Sequence, residues 1–254
     1  SSALREKAVF LISQKNTPET ADILLSAARN DPDGDVRQQA VFWLSQVRDE
    51  RAIDMLNDIL RNSTDQNIRE KALFSLSQHR SAKGTQILRE FAQNESANND
   101  LREKAIFWLG QKKSPENADF LRKLYFTLRD NDLKEKILFS LSQQRGMGND
   151  QWLIDIVKNN RENEELRKKA LFWAGQGGAN IDQIISMYSS LPERELREQV
   201  IFVLSQRREP AAVTKMLDIA KTDKDPELRK KAIFWLSQSR DPRVQDFLLE
   251  LINR

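Results

Sequence analysis

Cysteine is absent from this chain, which excludes disulfides, thiolate metal sites and a cysteine nucleophile together. A single histidine, His79, gives no His-containing cluster with metal-ligand spacing, and none of the recurring hydroxyls has a histidine partner within its motif. No glycine-rich phosphate loop follows a strand pattern. No run approaches the roughly 18 apolar residues that a transmembrane helix needs, and the N-terminus has no basic-then-apolar leader pattern. Excess charge of one sign is missing too. Against 38 Asp and Glu stand 41 Lys and Arg, a net +3 that is too near balance to imply a polyanionic partner. The compartment stays open, because a chain without cysteine suits both a reducing and an oxidising environment.

What the chain does have is repetition. Leu101-Arg102-Glu103-Lys104-Ala105-Ile106-Phe107-Trp108-Leu109-Gly110-Gln111 is one of eight copies, which begin at Leu4, Val36, Ile68, Leu101, Leu133, Leu166, Leu196 and Leu228. The starts lie 30 to 33 residues apart, a period that marks units able to bury their apolar faces only by stacking on neighbours.

Placed on a helix at about 100° per residue, positions 1, 5, 8 and 9 of the motif form one stripe, Leu101, Ala105, Trp108 and Leu109 in the fourth copy. Three residues before each copy stands Ser1, Asp33, Asp65, Asn98, Asp130, Asn163, Glu193 or Asp225. All but Glu193 are residues whose side-chain oxygen suits a helix N-cap. Between motifs lie second amphipathic segments, four of them opened by Thr17-Pro18, Ser114-Pro115, Glu209-Pro210 and Asp241-Pro242. Each unit therefore reads as a helical hairpin, with a variable helix A and a motif helix B. The B helices are expected near 2-14, 34-46, 66-78, 99-111, 131-143, 164-176, 194-206 and 226-238. The first B helix has no A partner before it, so apolar surface there is expected to be covered by sequence upstream in a longer natural chain.

An Asp cap, two residues, Val or Leu, Arg, two polar residues, Ala, then a small residue and Gln resemble the second helix of a HEAT repeat. The match is closest to the short repeats of roughly 30 residues also found in bilin-lyase-like proteins. The resemblance covers residues 1-254 as a single domain. It implies an all-α fold, an α-solenoid of eight HEAT-like helical hairpins in a right-handed superhelix whose B helices line a concave face, used as a scaffold for protein-protein interaction. It also implies that the arginine at position 2 reaches an acidic turn of the next repeat.

Position 8 alternates, Leu11, Trp43, Ser75, Trp108, Ser140, Trp173, Val203, Trp235, which large-to-small packing between successive repeats would explain. Position 7 does not vary: Phe10, Phe42, Phe74, Phe107, Phe139, Phe172, Phe202 and Phe234. It lies off the core stripe among polar neighbours. Two readings follow, rings sealing the seam between B helices or rings forming an accessible apolar strip, which soluble proteins rarely expose without a partner, with a mixed case between them in which ring edges remain accessible. Beside them come lysines at position 4, including Lys71, Lys104, Lys136 and Lys169, and a glutamine at position 11 in every copy, including Gln111 and Gln143. The glutamine amide suits bonding turn backbone, and any free end would serve an extended guest. His79 is expected to be an exposed turn residue.

The expected function is therefore a non-enzymatic scaffold. It would bind a protein or peptide segment with acidic and apolar residues through these phenylalanines, lysines and glutamines. No cofactor, metal, membrane insertion or small-molecule ligand is expected. The alternatives are nucleic-acid binding by stacked rings and lysines, which the balanced charge disfavours, and a structural spacer or a bilin-lyase-like chromophore chaperone.

Overall fold

The computed structural model describes residues 1–253. Among them are sixteen α-helices and no strand: α1 (Ser2–Ser13), α2 (Thr20–Asn30), α3 (Gly34–Leu44), α4 (Arg51–Asn62), α5 (Gln66–Gln78), α6 (Ala82–Gln93), α7 (Asn99–Gln111), α8 (Pro115–Thr127), α9 (Asn131–Ser142), α10 (Asn149–Lys158), α11 (Glu164–Gly177), α12 (Ile181–Ser190), α13 (Arg194–Ser205), α14 (Pro210–Thr222), α15 (Pro226–Leu236) and α16 (Pro242–Ile252). Odd-numbered helices carry the motif and even-numbered helices are their partners. This is an all-α repeat architecture of the solenoid kind. It divides into two compact units, Ser1–Ser140 and Leu141–Arg254.

The helix starts follow from capping. Asp33, Asp65, Asp130 and Asn163 each accept two backbone amides of the following turn, while Asn98 and Asp225 accept one. Two expected caps differ. Ser1 makes no capping bond, and the carboxylate of Glu193 is directed to Arg167 instead of its own helix. Among the partner helices, Ser114 and Asp241 cap directly before Pro115 and Pro242, whereas α2 starts only at Thr20, beyond Pro18.

Positions 1, 5 and 9 are buried from the second copy onward, as in Val36, Ala40 and Leu44 or Leu196, Val200 and Leu204. Position 6 is buried as well, for example Val41, Leu73, Ile106, Leu171 and Ile201. The tryptophans of position 8 are only half-buried, so the stripe is centred further round the helix than positions 1, 5, 8 and 9 imply. The reason is that a motif helix is packed on two sides, by its own partner helix and by the motif helices before and after it. Those two contacts widen the apolar arc beyond that of a helix lying on a single surface. In the first copy Leu4, Ala8 and Leu11 are exposed.

The arginine of position 2 is part of this core. In the first unit Arg102 is buried and donates to the Ala92 carbonyl at 3.1 Å, satisfying an orphan acceptor at the end of α6. Arg5 and Arg37 reach Asp31 at 2.8 Å and Asp65 at 3.0 Å, acidic residues in the turns that lead into the next motif helices. Within the second unit Arg167 is also buried and donates to the Val157 carbonyl at 2.8 Å and to Glu193 at 2.7 Å. Arg167 therefore both closes one helix end and holds the next turn, while Arg102 does the first and Arg5 the second.

Two glycines set how closely motif helices approach. A Cβ added at Gly110 would lie 2.6 Å from the Ser140 Cβ, and one at Gly175 would lie 2.4 Å from Val203 Cγ1. Both facing residues occupy position 8 in copies that lack tryptophan there. Small position 10 against small position 8 thus brings backbones together where no indole intervenes.

Candidate functional site

The invariant phenylalanines form a face on the motif helices of each unit. All are half-buried except Phe234, which is 55% exposed. Neither reading of position 7 holds alone: the rings are packed against one another and still present an edge to solvent.

Tryptophans connect them. In the first unit Phe10 contacts Trp43 of the following copy at 5.1 Å between centroids, and Trp43 meets its own neighbour Phe42 edge-on at 5.0 Å. The next copy has Ser75 at position 8, and there Phe42 stacks directly on Phe74 at 6.5 Å and 14°. Phe74 then contacts Trp108, which meets Phe107 edge-on. The second unit repeats the arrangement: Phe172 lies edge-on to Trp173, stacks on Phe202 at 6.2 Å and 14° across Val203, and Phe202 leads to Trp235 and Phe234. The alternation at position 8 therefore serves ring continuity on this face. Trp43, Trp108 and Trp235 each turn back onto the phenylalanine of the preceding copy, and Ser75 and Val203 each let two phenyl rings meet without an indole.

The lysines of position 4 are committed within the fold. Lys104 pairs with Glu70, Lys136 with Glu103 at 3.3 Å, and Lys231 with Glu198 at 3.4 Å, each carboxylate belonging to position 3 of the preceding copy. Lys71 faces a glutamine at that position instead. Its ammonium sits 5.3 Å from the Phe42 ring and 5.5 Å from Phe74, capping the stacked pair by a cation–π contact. Lys169 is exposed and has a partner as well. Much of the rail beside the rings is therefore a run of neutral Glu–Lys pairs.

The glutamines of position 11 are exposed, and they bond a neighbouring side chain where backbone was expected. Nε2 of Gln14, Gln46, Gln78, Gln143 and Gln206 donates to the preceding serine Oγ at 2.9–3.1 Å. Where that serine's own donation is resolved, as in Ser13, Ser45, Ser77 and Ser205, the hydroxyl gives its proton to the phenylalanine carbonyl three residues earlier at 2.6 Å. This relay holds the amide nitrogen and leaves the amide oxygen without a hydrogen bond among the described residues. Gln111 and Gln176 follow Gly110 and Gly175, have no such serine, and their side-chain amides make no hydrogen bond among the described residues.

His79 is half-buried, not fully solvated as expected. Its Nδ1 accepts the Ser81 amide at 3.1 Å, and burial, with the nearby Lys112 charge, holds its pKa below the usual histidine value. Among the described residues no group of three or more His, Cys, Asp or Glu could hold a metal ion, and no helix is long and apolar enough to cross a membrane.

No curated protein matches the chain in sequence. Among solved structures, human deoxyhypusine hydroxylase in complex with glycerol is similar over 95% of this chain and 88% of its own, at 16% identity and a TM-score of 0.42. The CpcE–CpcF complex of phycocyanin lyase from Nostoc is similar over 92% and 93%, at 17% identity and 0.42. A chain from a structure concerning the interaction between cadherin and beta-catenin is similar over 91% and 64%, at 15% identity and 0.27. The model of HEAT repeats, units typical of protein-interaction scaffolds, matches residues 1–77, 21–99 and 181–254, which together span more than half of the sequence. By that match, and by the paired helices, capping residues and arginines described above, the chain belongs to the HEAT-repeat family.

Proposed function

We propose that this protein is a non-catalytic scaffold that binds an apolar and acidic segment of another protein along the face of its motif helices. The observation that carries this reading is the half-exposed ring ladder. A phenylalanine needed only for the seam could be covered, yet here every copy keeps a ring edge toward solvent, between a Glu–Lys rail and a row of glutamines. Rings of this kind give a guest desolvated area at low entropic cost. The unbonded amide oxygens of these exposed glutamines suit the backbone amides of an extended guest.

Panning a displayed random-peptide library against the full chain tests this directly. Enriched sequences rich in apolar and acidic residues are expected. Replacing Phe107, Phe139 and Phe172 by Ser, in protein whose helical circular dichroism is retained, should abolish their binding. No enrichment, or peptides that bind the variant as well as the native chain, would overturn the reading.

A further inference from the structure

The Glu–Lys pairing leaves the rail beside the rings close to neutral, so a preference for acidic partners needs another source. We infer that the bound segment carries carboxylates spaced one per repeat, each received by a basic residue two positions beyond the recurring glutamine; this rests on the motif-helix face being a protein-binding surface. In the first unit those residues are Arg48, Arg80 and Lys113. All three are exposed, and none of their side chains makes an ion pair or hydrogen bond among the described residues. Arg145, Arg208 and Arg240 stand at the same position in the second unit, equally exposed and unpaired.

The contrast with the position immediately before is the reason to give these cations a task outside the fold. Lys112 donates to the His79 carbonyl and to Thr85 Oγ1, both at 3.2 Å. Arg207 donates to the carbonyls of Gly175 and Ala179 and pairs with Glu209. A cation that served the helix end would bond such carbonyls. Lys113 and Arg208, one residue on, do not, and the same parity holds wherever the position is basic.

Two cavities join these cations to the glutamines, and the second also reaches the rings. In the first unit Gln46, Arg48, Gln78 and Arg80 border one space of about 740 Å³, together with Asp49 and Asp54, which pair with Arg51 and Lys83, and with Glu50. In the second, Gln143, Arg145, Phe172, Trp173 and Gln176 border one of about 380 Å³. Gly178 replaces the next cation there, and Gly177 leaves its own place on the lining without a side chain. That second space offers a guanidinium for a carboxylate, amides for backbone and a T-shaped ring pair for an apolar neighbour. Motif helices packed ~8–10 Å apart match the advance of about three residues of an extended chain at ~3.3 Å each. The guest chemistry is therefore an extended segment with acidic residues at i, i+3 and i+6 and apolar residues between.

Fluorescence anisotropy with the full chain tests this, using a labelled peptide that repeats Glu-Pro-Leu, a peptide of the same composition with its glutamates in one block, and labelled oligo-dT. The spaced peptide should bind about 10-fold tighter than the blocked one, and tighter than oligo-dT. Arg48→Gln, Arg80→Gln and Lys113→Gln together should weaken it about 30-fold, at about 3-fold per exposed pair. Equal affinity for spaced and blocked peptides, no binding of the spaced peptide, oligo-dT bound at least as tightly, or a triple variant within about 2-fold of native would each overturn the inference. A Phe74→Ser, Phe107→Ser chain separates the two levels of the reading. If ring loss abolishes peptide binding while cation loss does not, the face stands and the cation row falls; if cation loss abolishes it while ring loss does not, the face itself falls.

Discussion

Replacing Phe42 by Ala measures how much of the ring ladder is structure. In a full core site the truncation costs ~3–5 kcal/mol, from lost transfer energy and the cavity left behind. Phe42 is half-buried, so about half of that applies. It also has two ring partners, Trp43 edge-on at 5.0 Å and Phe74 stacked at 6.5 Å, which makes the lower end of that half too small. A loss of about 2 kcal/mol is expected. Phe234 is the internal control: more than half exposed, with Trp235 at 5.1 Å as its ring contact, it should cost less than about 1 kcal/mol. Urea unfolding of each variant, followed by far-ultraviolet circular dichroism and tryptophan fluorescence, provides both numbers. Losing Phe42 should also shift tryptophan emission to the red as Trp43 gains water. A Phe42 loss above about 4 kcal/mol would make the ring core and remove its availability to a partner, while one below about 0.5 kcal/mol would leave the ladder without a structural role. Equal losses at the two positions would refute the burial argument itself.

Three further outcomes follow from the packing and charges. Arg167→Ala strands the Val157 carbonyl and frees Glu193, and should cost ~2–4 kcal/mol in urea unfolding, with Arg167→Lys recovering only part because one ammonium cannot reproduce the guanidinium fork. Hydrogen bonds from Arg5 and Arg37 hold Asp31 and Asp65 below the usual carboxylate range; a depressed folded pKa contributes stability that is complete above the unfolded value near ~4 and is lost as pH falls through the folded value, so the urea midpoint should drop below about pH 4, and less steeply for Arg5→Gln, Arg37→Gln. Gly175→Ala drives a methyl into Val203 Cγ1 and should destabilise by ~1–3 kcal/mol despite alanine's better helix propensity, whereas adding Val203→Ala should return most of the loss in a double-mutant cycle.

The period, the caps and the pairing of helices are legible in the sequence because each depends on residues a few positions apart. Asp65 lies three residues before Ile68, and the bonds it accepts are local. What a single helical wheel hides is whatever forms across the seam between copies. Lys104 stands beside Phe107 on its own helix and looks free to meet a partner, but the carboxylate that neutralises it, Glu70, is 34 residues earlier. Trp108 falls on the stripe edge by angle alone, and only the neighbouring copy decides that it turns back toward Phe74. The cations after the glutamine were readable as a repeat, at Arg48, Arg80, Lys113 and Arg145, but an eleven-residue motif ends two residues short of them.

The two-repeat rhythm ties these observations to one another. A position 8 tryptophan bridges two phenylalanines through its indole, while a position 8 serine or valine lets them stack directly and lets the helices close, to the point that Gly110 and Gly175 admit no side chain. Ring continuity is thus kept by two different local solutions, and the spacing between motif helices is tied to which one is used. A guest that reads one residue class per repeat meets rings in every copy, and beside Arg145, Phe172 and Trp173 it also meets a cavity. On the proposed reading, affinity would come from the invariant positions 7 and 11 and register from the positions that change. Swapping the alternation, with Trp43→Ser and Ser75→Trp in one chain, should therefore preserve helicity while shifting which peptide register binds; unchanged register would show that the alternation serves packing alone.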